Sequence, residues 1–329
     1  MILLKKHVLK VAASVLAVVV TATATVRSSE RALAAPAGKS AVLPSCSGSA
    51  VSMNSACSYD AADNFWVNTA KCQNVSSAQE RAACVAETGQ SYRTDLALCS
   101  AQKAERLDVC KDLGQAPYDP QINPANFVNP LHIGGSVAAN PYLILAPGYT
   151  RVYKSPSQII TIAVTHDTIS ILGVTCIVSR DTVTDFDGNL IEDTVDYFAQ
   201  DVFGNVWYFG ETTAEYEGGF PVSIHGTFKA GVDRAKPGIA MLAVLPSGKL
   251  YREEFALGSA EDLAEVITTT ATESAPAASC QQSCLLTDNF TPIKPGSSEK
   301  KYYAAGIGEI VAFPEGDPTN RAVLVRYHY

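Results

Sequence analysis

The pattern of hydrophobic and polar residues changes along the chain, and the first change lies near its start. Three lysines within the first ten residues precede an apolar run over 11–20, and small residues then lead to Ala34. This order is typical of an export signal, so we predict a signal peptide over 1–34. The apolar run is shorter than the roughly 20 residues that a membrane span needs. We therefore favour cleavage over an uncleaved anchor helix, and expect no integral membrane span after cleavage.

Residues 35–113 are predicted to form a helical hairpin. Ser77, followed three residues later by a glutamate, fits a capping box at the start of the second helix, and Gly114 is a typical helix stop. The first helix is predicted over 59–72. Cys46 lies in a stretch rich in serine and glycine, so we expect it in an extended strap.

Six of the nine cysteines are placed symmetrically about the turn of this hairpin. Cys84, Cys99 and Cys110 follow one another at steps of 15 and 11 residues, which are close to whole helical turns, so they share one face. Connectivity cannot be deduced from sequence alone, and a metal cluster would need closer pairs. The symmetry favours disulfides in an oxidising compartment. The predicted nested pairs are Cys46–Cys110, Cys57–Cys99 and Cys72–Cys84.

The remaining chain is predicted to be a linker and a β domain. Residues 114–140 contain many prolines and glycines and no apolar period, which is typical of a linker. Over 141–329 the pattern changes to period two, and Gly, Asn and Asp turns separate about ten predicted strands. The predicted fold is mainly β with an α module. A disulfide-stapled helical hairpin precedes a curved antiparallel meander sheet, which forms a half-barrel or open barrel.

Charge and motifs narrow the functional classes. The formal net charge is -8, and the sequence contains no basic stripe, so we expect no nucleic-acid partner and no attraction to anionic membrane surfaces. Neither a nucleophile elbow nor a paired-histidine zinc motif is present. These features favour a non-catalytic protein.

Five segments of the β domain resemble a family of exported bacterial proteins that has a β-rich domain and no assigned function. Many members of that family have tryptophan where this chain has Arg151, which is expected to alter the packing of the first strand. The motif YYAAGIG also resembles the closing strands of LolA-like lipoprotein half-barrels, and this resemblance implies an acyl-chain ligand. The five segments are NPYLILAPGYTRVY (140–153), LGVTCIVSRDTV (172–183), AQDVFGNVWYFGE (199–211), AGVDRAKPGIAM (230–241) and YYAAGIGEIV (302–311).

Candidate ligand-binding residues lie in two places. Alternation puts Trp207 and Phe209 on one face of a strand and Tyr208 on the other, and one face could line a groove for a lipid or sugar. Asp233 and Lys236 lie in a loop with glycine and proline, where charged residues can orient a ligand. The structural alternatives are aromatic core packing and an ordinary surface turn.

One acidic stretch is a candidate calcium site. Asp185, Asp187 and Asn189 have the spacing of the first ligands of a calcium loop, and Glu192 could complete the site across a hairpin. The full EF-hand template does not match, and the alternative is a solvated Asp-Gly turn. Calcium is the one cofactor that the sequence suggests.

The last three cysteines form an odd set, so one thiol is left over. Cys280 and Cys284 could close a small ring before a strand. Alternatively, Cys284 bridges to Cys176 and leaves Cys280 free.

We therefore predict a secreted or periplasmic bacterial protein that holds an apolar or small-molecule ligand on the concave face of the sheet, without chemistry. The first alternative is a structural protein that docks onto an envelope protein, with calcium at the acidic hairpin. The second is a carboxylate-dependent hydrolase. The expected partner is a lipid, a small molecule or an envelope protein.

Overall fold

A computed structural model describes residues 44–329, so the predicted signal peptide over 1–34 lies outside the described residues. These residues form one compact unit, in which a helical hairpin precedes a single antiparallel sheet. Across the part of the chain that the structure describes, no helix is both long and apolar enough to cross a membrane.

The hairpin consists of α1 (Ser45–Gln73) and α2 (Ala78–Leu113). The Ser77 hydroxyl accepts a hydrogen bond of 3.3 Å from the backbone N–H of Glu80, which caps the start of α2. Gly114 ends α2 with a φ of 92°, a conformation that glycine adopts without steric cost. Both helix signals in the sequence therefore lie at the observed ends of α2.

Three disulfides staple the two helices, and their Cα atoms lie 5.6 to 5.7 Å apart. Each closed loop contributes roughly 2–4 kcal/mol to stability in the chain-entropy model. The order is nested, as the spacing predicts. The pairs are Cys46–Cys110, Cys57–Cys99 and Cys72–Cys84.

The expectation that Cys46 lies in an extended strap is wrong, because α1 already begins at Ser45. Serine and glycine lower the intrinsic helix propensity of this stretch. Tertiary contacts outweigh that preference: a disulfide ties Cys46 to Cys110, and Ala50 one turn later is only 1 % exposed. The cysteine pattern therefore predicted the disulfide partner of Cys46, but the local composition did not predict that Cys46 lies in a helix.

Fifteen strands form one sheet within residues 44–329. They are β1 (Thr150–Lys154), β2 (Ile159–Ile171), β3 (Val174–Thr184), β4 (Leu190–Gln200), β5 (Val206–Glu217), β6 (Phe220–Ser223), β7 (Phe228–Lys229), β8 (Lys236–Met241), β9 (Leu250–Arg252), β10 (Glu254–Phe255), β11 (Leu263–Ala275), β12 (Ala278–Phe290), β13 (Ser298–Ala304), β14 (Gly308–Pro314) and β15 (Ala322–His328). The prediction of about ten strands is too low, because β6, β7, β9 and β10 are too short to show an alternating period.

The strand order is β10-β8-β5-β4-β3-β2-β1-β15-β14-β13-β12-β11-β9, and β6 and β7 also pair with β5. Its two edge strands, β9 and β10, are separated in sequence by Glu253 alone. The backbone N–H groups of Glu253 and Glu254 both donate to the carbonyl oxygen of Asp262, at 2.8 and 3.2 Å. The sheet is thus nearly closed, which confirms the predicted fold class.

Residues between the hairpin and β1 pack against the inside of this sheet. Ile133, Ile144 and Leu145 belong to one buried cluster with Ile177 of β3 and Leu285 of β12. A smaller cluster on the other face of β5 includes Phe209 and is covered by Phe127 of the same connecting segment. The segment predicted as a linker therefore packs against both faces of the sheet.

Polar side chains also lie inside the sheet. Arg151 is 5 % exposed in β1, and its guanidinium lies 6.0 Å from the ring centroid of Tyr149. On β13, Lys301 Nζ lies 3.4 Å from Glu299 Oε2, and both residues are buried. The interior therefore combines an apolar cluster with buried charged groups.

Candidate functional site

A cleft of about 520 Å³ lies between the hairpin and the sheet. We call it the hairpin–sheet cleft. Its volume is in the range of small-molecule pockets. Its lining comes from the start of α1, the end of α2, the segment after α2, and the chain around β8, β9 and β10. The lining includes Arg106, Val109, Cys110, Leu113, Tyr118, Arg234, Lys249, Arg252, Phe255, Leu257 and Glu261.

Helical spacing explains the wall that α2 contributes. Arg106, Val109, Cys110 and Leu113 are three, four and seven residues apart, so they lie on one face of the helix. Val109 and Cys110 are buried, and Leu113 is 36 % exposed at the end of the helix. Along α2, this wall of the cleft therefore begins with the charged Arg106, continues with buried apolar side chains and ends at the accessible Leu113.

The floor of the cleft contains a buried ion pair that joins the hairpin to the sheet. Arg106 Nε and Nη2 donate to the two carboxylate oxygens of Glu261 at 2.8 and 2.7 Å. Arg106 is 6 % exposed and Glu261 is 1 % exposed. Glu261 also accepts a hydrogen bond of 2.7 Å from the backbone N–H of Gly258. Bidentate geometry and a third donor compensate the desolvation of Glu261, whereas Arg106 Nη1 is buried and has no hydrogen-bond partner among the described residues.

A second arginine lies against aromatic rings. The guanidinium of Arg252 is 4.9 Å from the ring centroid of Phe255 and 5.6 Å from that of Tyr118. The Tyr118 hydroxyl donates to the carbonyl oxygen of Pro237 at 2.9 Å. Burial raises the pKa of Tyr118 to about 12 and lowers the pKa of Arg252. The tyrosine is therefore neutral, and the arginine is a charged group that burial has partly desolvated.

The lining of the cleft carries an excess of positive charge. It contains the four cations Arg106, Arg234, Lys249 and Arg252 and the single carboxylate of Glu261, which is already paired with Arg106. None of the ion pairs formed within residues 44–329 includes the other three cations. This local charge contrasts with the acidic balance of the whole chain.

The structure does not bring the three predicted aromatic ligand residues to this cleft. The Trp207 indole N–H donates to Asp201 Oδ2 at 2.9 Å, and Phe209 packs against Phe127 with ring centroids 5.6 Å apart. Tyr208 lies on the opposite face, inside the sheet, with its hydroxyl oxygen 2.5 Å from Asp196 Oδ1. Both faces of this strand are thus covered by the protein's own side chains.

The predicted loop residues Asp233 and Lys236 have different surroundings. Lys236 forms an ion pair with Asp119, in the segment after α2. Asp233 lines a second, more polar pocket of about 390 Å³, together with Lys229 and Tyr197. Asp233 has a φ of 47°, in the left-handed region that residues other than glycine adopt uncommonly. Ligand binding by these two residues stays a prediction.

Buried carboxyl groups inside the sheet have strongly perturbed acidity. Burial raises the pKa of Asp181 to about 8 and the pKa values of Glu253 and Glu299 to about 7. Glu253 accepts a hydrogen bond of 2.8 Å from the side-chain amide of Asn289. Because these residues are at most 4 % exposed, they do not present a surface to a substrate.

The acidic hairpin uses its carboxylate for local hydrogen bonds. Asp185 Oδ1 accepts from the backbone N–H groups of Asp187 and Asn189 at 2.9 and 2.8 Å, and Asp185 Oδ2 accepts from the Asn189 side chain at 2.8 Å. Glu192 accepts from the hydroxyl of Thr194 at 3.0 Å. Over residues 44–329, no group of three or more His, Cys, Asp or Glu side chains is arranged to hold a metal ion. Calcium binding here stays a prediction.

The three cysteines of the β domain form one disulfide-closed ring and one free thiol. Cys280 and Cys284 form a disulfide at β12, and Cys176 is a buried free thiol. Burial raises the pKa of the Cys176 thiol to about 12, so it is neutral at physiological pH. The alternative bridge between Cys176 and Cys284 is therefore wrong.

Comparison with known proteins gives a limited likeness. No family model matches the chain, and no curated protein matches it. One similar solved structure is a protein from Bacteroides fragilis, predicted to be exported and described as having a YmcC-like fold, with 15% identity and a TM-score of 0.33 over 57% of this chain and 98% of that one. Another is a predicted lipoprotein from Parabacteroides distasonis, with 10% identity and a TM-score of 0.32 over 58% of this chain and 100% of that one.

Sequence reasoning missed the hairpin–sheet cleft, because its lining combines segments more than 100 residues apart. The one local signal is an arginine, Arg106, on the same face of α2 as Val109, Cys110 and Leu113. That face could have been recognised as a contact surface. Glu261 and Arg252, which lie opposite this face in the cleft, belong to no motif that would mark them in the sequence.

Proposed function

We propose that this protein is an exported, non-catalytic binding protein that holds an apolar small molecule in the hairpin–sheet cleft. The observation that carries this proposal is the cleft itself, a volume of about 520 Å³ with a mainly apolar lining that includes Val109, Leu113, Leu257 and Phe255. Burial of apolar ligand surface against such side chains contributes about 25 cal/mol per Å². A few polar groups among them would fix the orientation of the ligand.

The cleft is a better place for the ligand than the concave face of the sheet. Ile144 and Leu145 are 3 % and 1 % exposed and pack with Ile177 and Leu285 inside the sheet. A ligand on that face would have to displace this packing. Leu113 and Leu257, in contrast, line the cleft and are 36 % and 41 % exposed.

Export is supported by the cysteine chemistry of the described residues. Four disulfides form among them, and such bonds persist in oxidising compartments such as the periplasm or the extracellular space. The predicted signal peptide over 1–34 points to the same route. We therefore propose a secreted or periplasmic location.

Native mass spectrometry of the protein purified from its own exported fraction tests this function. We expect a co-purifying small amphiphile that denaturation releases. The Leu113→Trp variant should lose it, because the larger side chain fills the cleft mouth. The matched control is Leu98→Trp, since Leu98 is a similarly exposed leucine of α2 (45 %) that does not line the cleft. A bare polypeptide, or equal retention by both variants, would contradict the proposal.

Exposed aromatic residues of the hairpin favour a second function, docking onto an envelope protein. Tyr59 and Trp66 on α1 are 78 % and 66 % exposed. Aromatic side chains of this kind often anchor protein interfaces. A polypeptide partner in the same mass spectrum, lost in a Trp66→Ala variant, would support docking in place of small-molecule binding.

A further inference from the structure

We infer that the ligand of the hairpin–sheet cleft is an anionic amphiphile, whose apolar chain lies in the cleft and whose carboxylate or phosphate head group meets Arg252 and Lys249. This inference rests on the proposed function, since it assigns the head-group chemistry of the same cleft.

The first supporting observation concerns the residues that surround the side chain of Arg252. Its side chain is half-buried against Tyr118 and Phe255, with centroid distances of 5.6 and 4.9 Å. Aromatic faces stabilise a guanidinium but leave its N–H groups to other acceptors. Within residues 44–329 no carboxylate lies at salt-bridge distance from it, and the nearby charge of Glu261, which acts against the effect of burial on the pKa of Arg252, is already bound to Arg106. An anion at this position would form a charge-assisted hydrogen bond with Arg252. It would also stabilise the charge of a guanidinium that burial has partly removed from water.

The second observation is where the charges lie in the cleft. Arg106 is buried in the floor, where its Nε and Nη2 both bind the carboxylate of Glu261. Lys249 and Arg234 also line the cleft and are exposed, so they lie toward solvent. The uncompensated positive charge is therefore nearer solvent than the floor. This polarity fits a molecule that inserts its apolar part and leaves its anionic end near the mouth.

The third observation is the contrast with the rest of the molecule. The chain has a formal net charge of -8, so a cleft lining with four cations and one carboxylate is a local reversal. A local cationic patch raises the concentration of anions near it and aligns them on approach. A neutral ligand would gain nothing from this arrangement.

Displacement of the uncharged dye Nile red tests the inference on the mature full-length protein. The competitors are lauric acid, lauryl phosphate and lauryl alcohol, which share one chain and differ in head group. We expect the acid or the phosphate to displace the dye at concentrations roughly tenfold lower than the alcohol, in line with one charge-assisted hydrogen bond. The more potent of the two anions identifies the head group. Added salt should weaken the anion and leave the alcohol unchanged.

The Arg252→Gln/Lys249→Gln variant should remove this preference while it still binds Nile red. Lys71→Gln is the matched control, because Lys71 is an exposed cation at the far end of α1 and does not line the cleft. Equal displacement by the acid and the alcohol, or a preference that survives Arg252→Gln/Lys249→Gln, would overturn the inference and leave the proposed function standing. If Nile red does not bind, or if Leu113→Trp binds it as well as the wild type, the proposed function and the inference both fail.

Discussion

Removal of the Arg106 side chain should loosen the hairpin from the sheet. The Arg106→Met variant keeps most of the side-chain volume but removes the cation that pairs with the carboxylate of Glu261. Because Glu261 is only 1 % exposed, water cannot replace that cation. Loss of one partner of a buried pair costs about 3–5 kcal/mol. Because Glu261 keeps the 2.7 Å hydrogen bond from Gly258, we expect the lower end of that range. At roughly 2–4 °C per kcal/mol, the melting temperature should fall by about 6–12 °C.

Unfolding in denaturant, followed by tryptophan fluorescence, measures this effect at two places. The chain contains two tryptophans, Trp66 in the hairpin and Trp207 in the sheet, so single-tryptophan variants report on each part. In the wild type we expect the two transitions to coincide. In Arg106→Met, the loss of the ion pair should separate them, with the disulfides keeping the hairpin folded at higher denaturant.

A second variant keeps this prediction falsifiable. Arg106→Met combined with Glu261→Gln removes the unpaired charge and keeps an acceptor for the Gly258 N–H, so most of the lost stability should return. A loss below about 1 kcal/mol in the single variant would refute the reasoning. So would a double variant that is no more stable than the single one.

Three further predictions follow from the buried and local groups. Because burial raises the pKa values of Asp181, Glu253 and Glu299 to between about 7 and 8, the native state binds more protons than the unfolded state above the usual carboxyl range. The contribution of these groups to stability is full at low pH and is lost as the pH rises through these values. The free energy of unfolding should therefore be lower at pH 8 than at pH 5. Denaturant titrations at both pH values check this, and a higher free energy of unfolding at pH 8 would contradict it. Calcium should raise the melting temperature if Asp185, Asp187, Asn189 and Glu192 bind it, because a ligand that binds only the folded state stabilises that state; a melting temperature that neither calcium nor a chelator changes would remove the calcium site. The Cys176 thiol should stay unmodified by a maleimide until the protein is denatured, since it is buried and neutral; mass spectrometry would detect labelling of the native state as the contrary result.

The two ends of α2 and several turns between strands were accessible to sequence reasoning, because both depend on interactions between residues close in sequence. Ser77 and Gly114 supply the cap and the stop of α2. Gly188 and Gly204 adopt positive φ values of 86° and 90° in the turns predicted around them. Alternation also placed Tyr208 on the opposite face from its neighbours, as the structure shows.

The sequence alone thus determined the fold class, the nested symmetry of the cysteines and several turns of the sheet. Only the tertiary structure decided that β9 and β10 meet at Glu253 and nearly close the sheet, since strands of two or three residues show no alternating period of their own. It also decided that the accessible cleft lies beside the sheet, where Arg106 of α2 meets Glu261, 155 residues later. A cleft of this kind depends on packing between distant segments, and the distances that create its charge and shape exist only after the chain has folded.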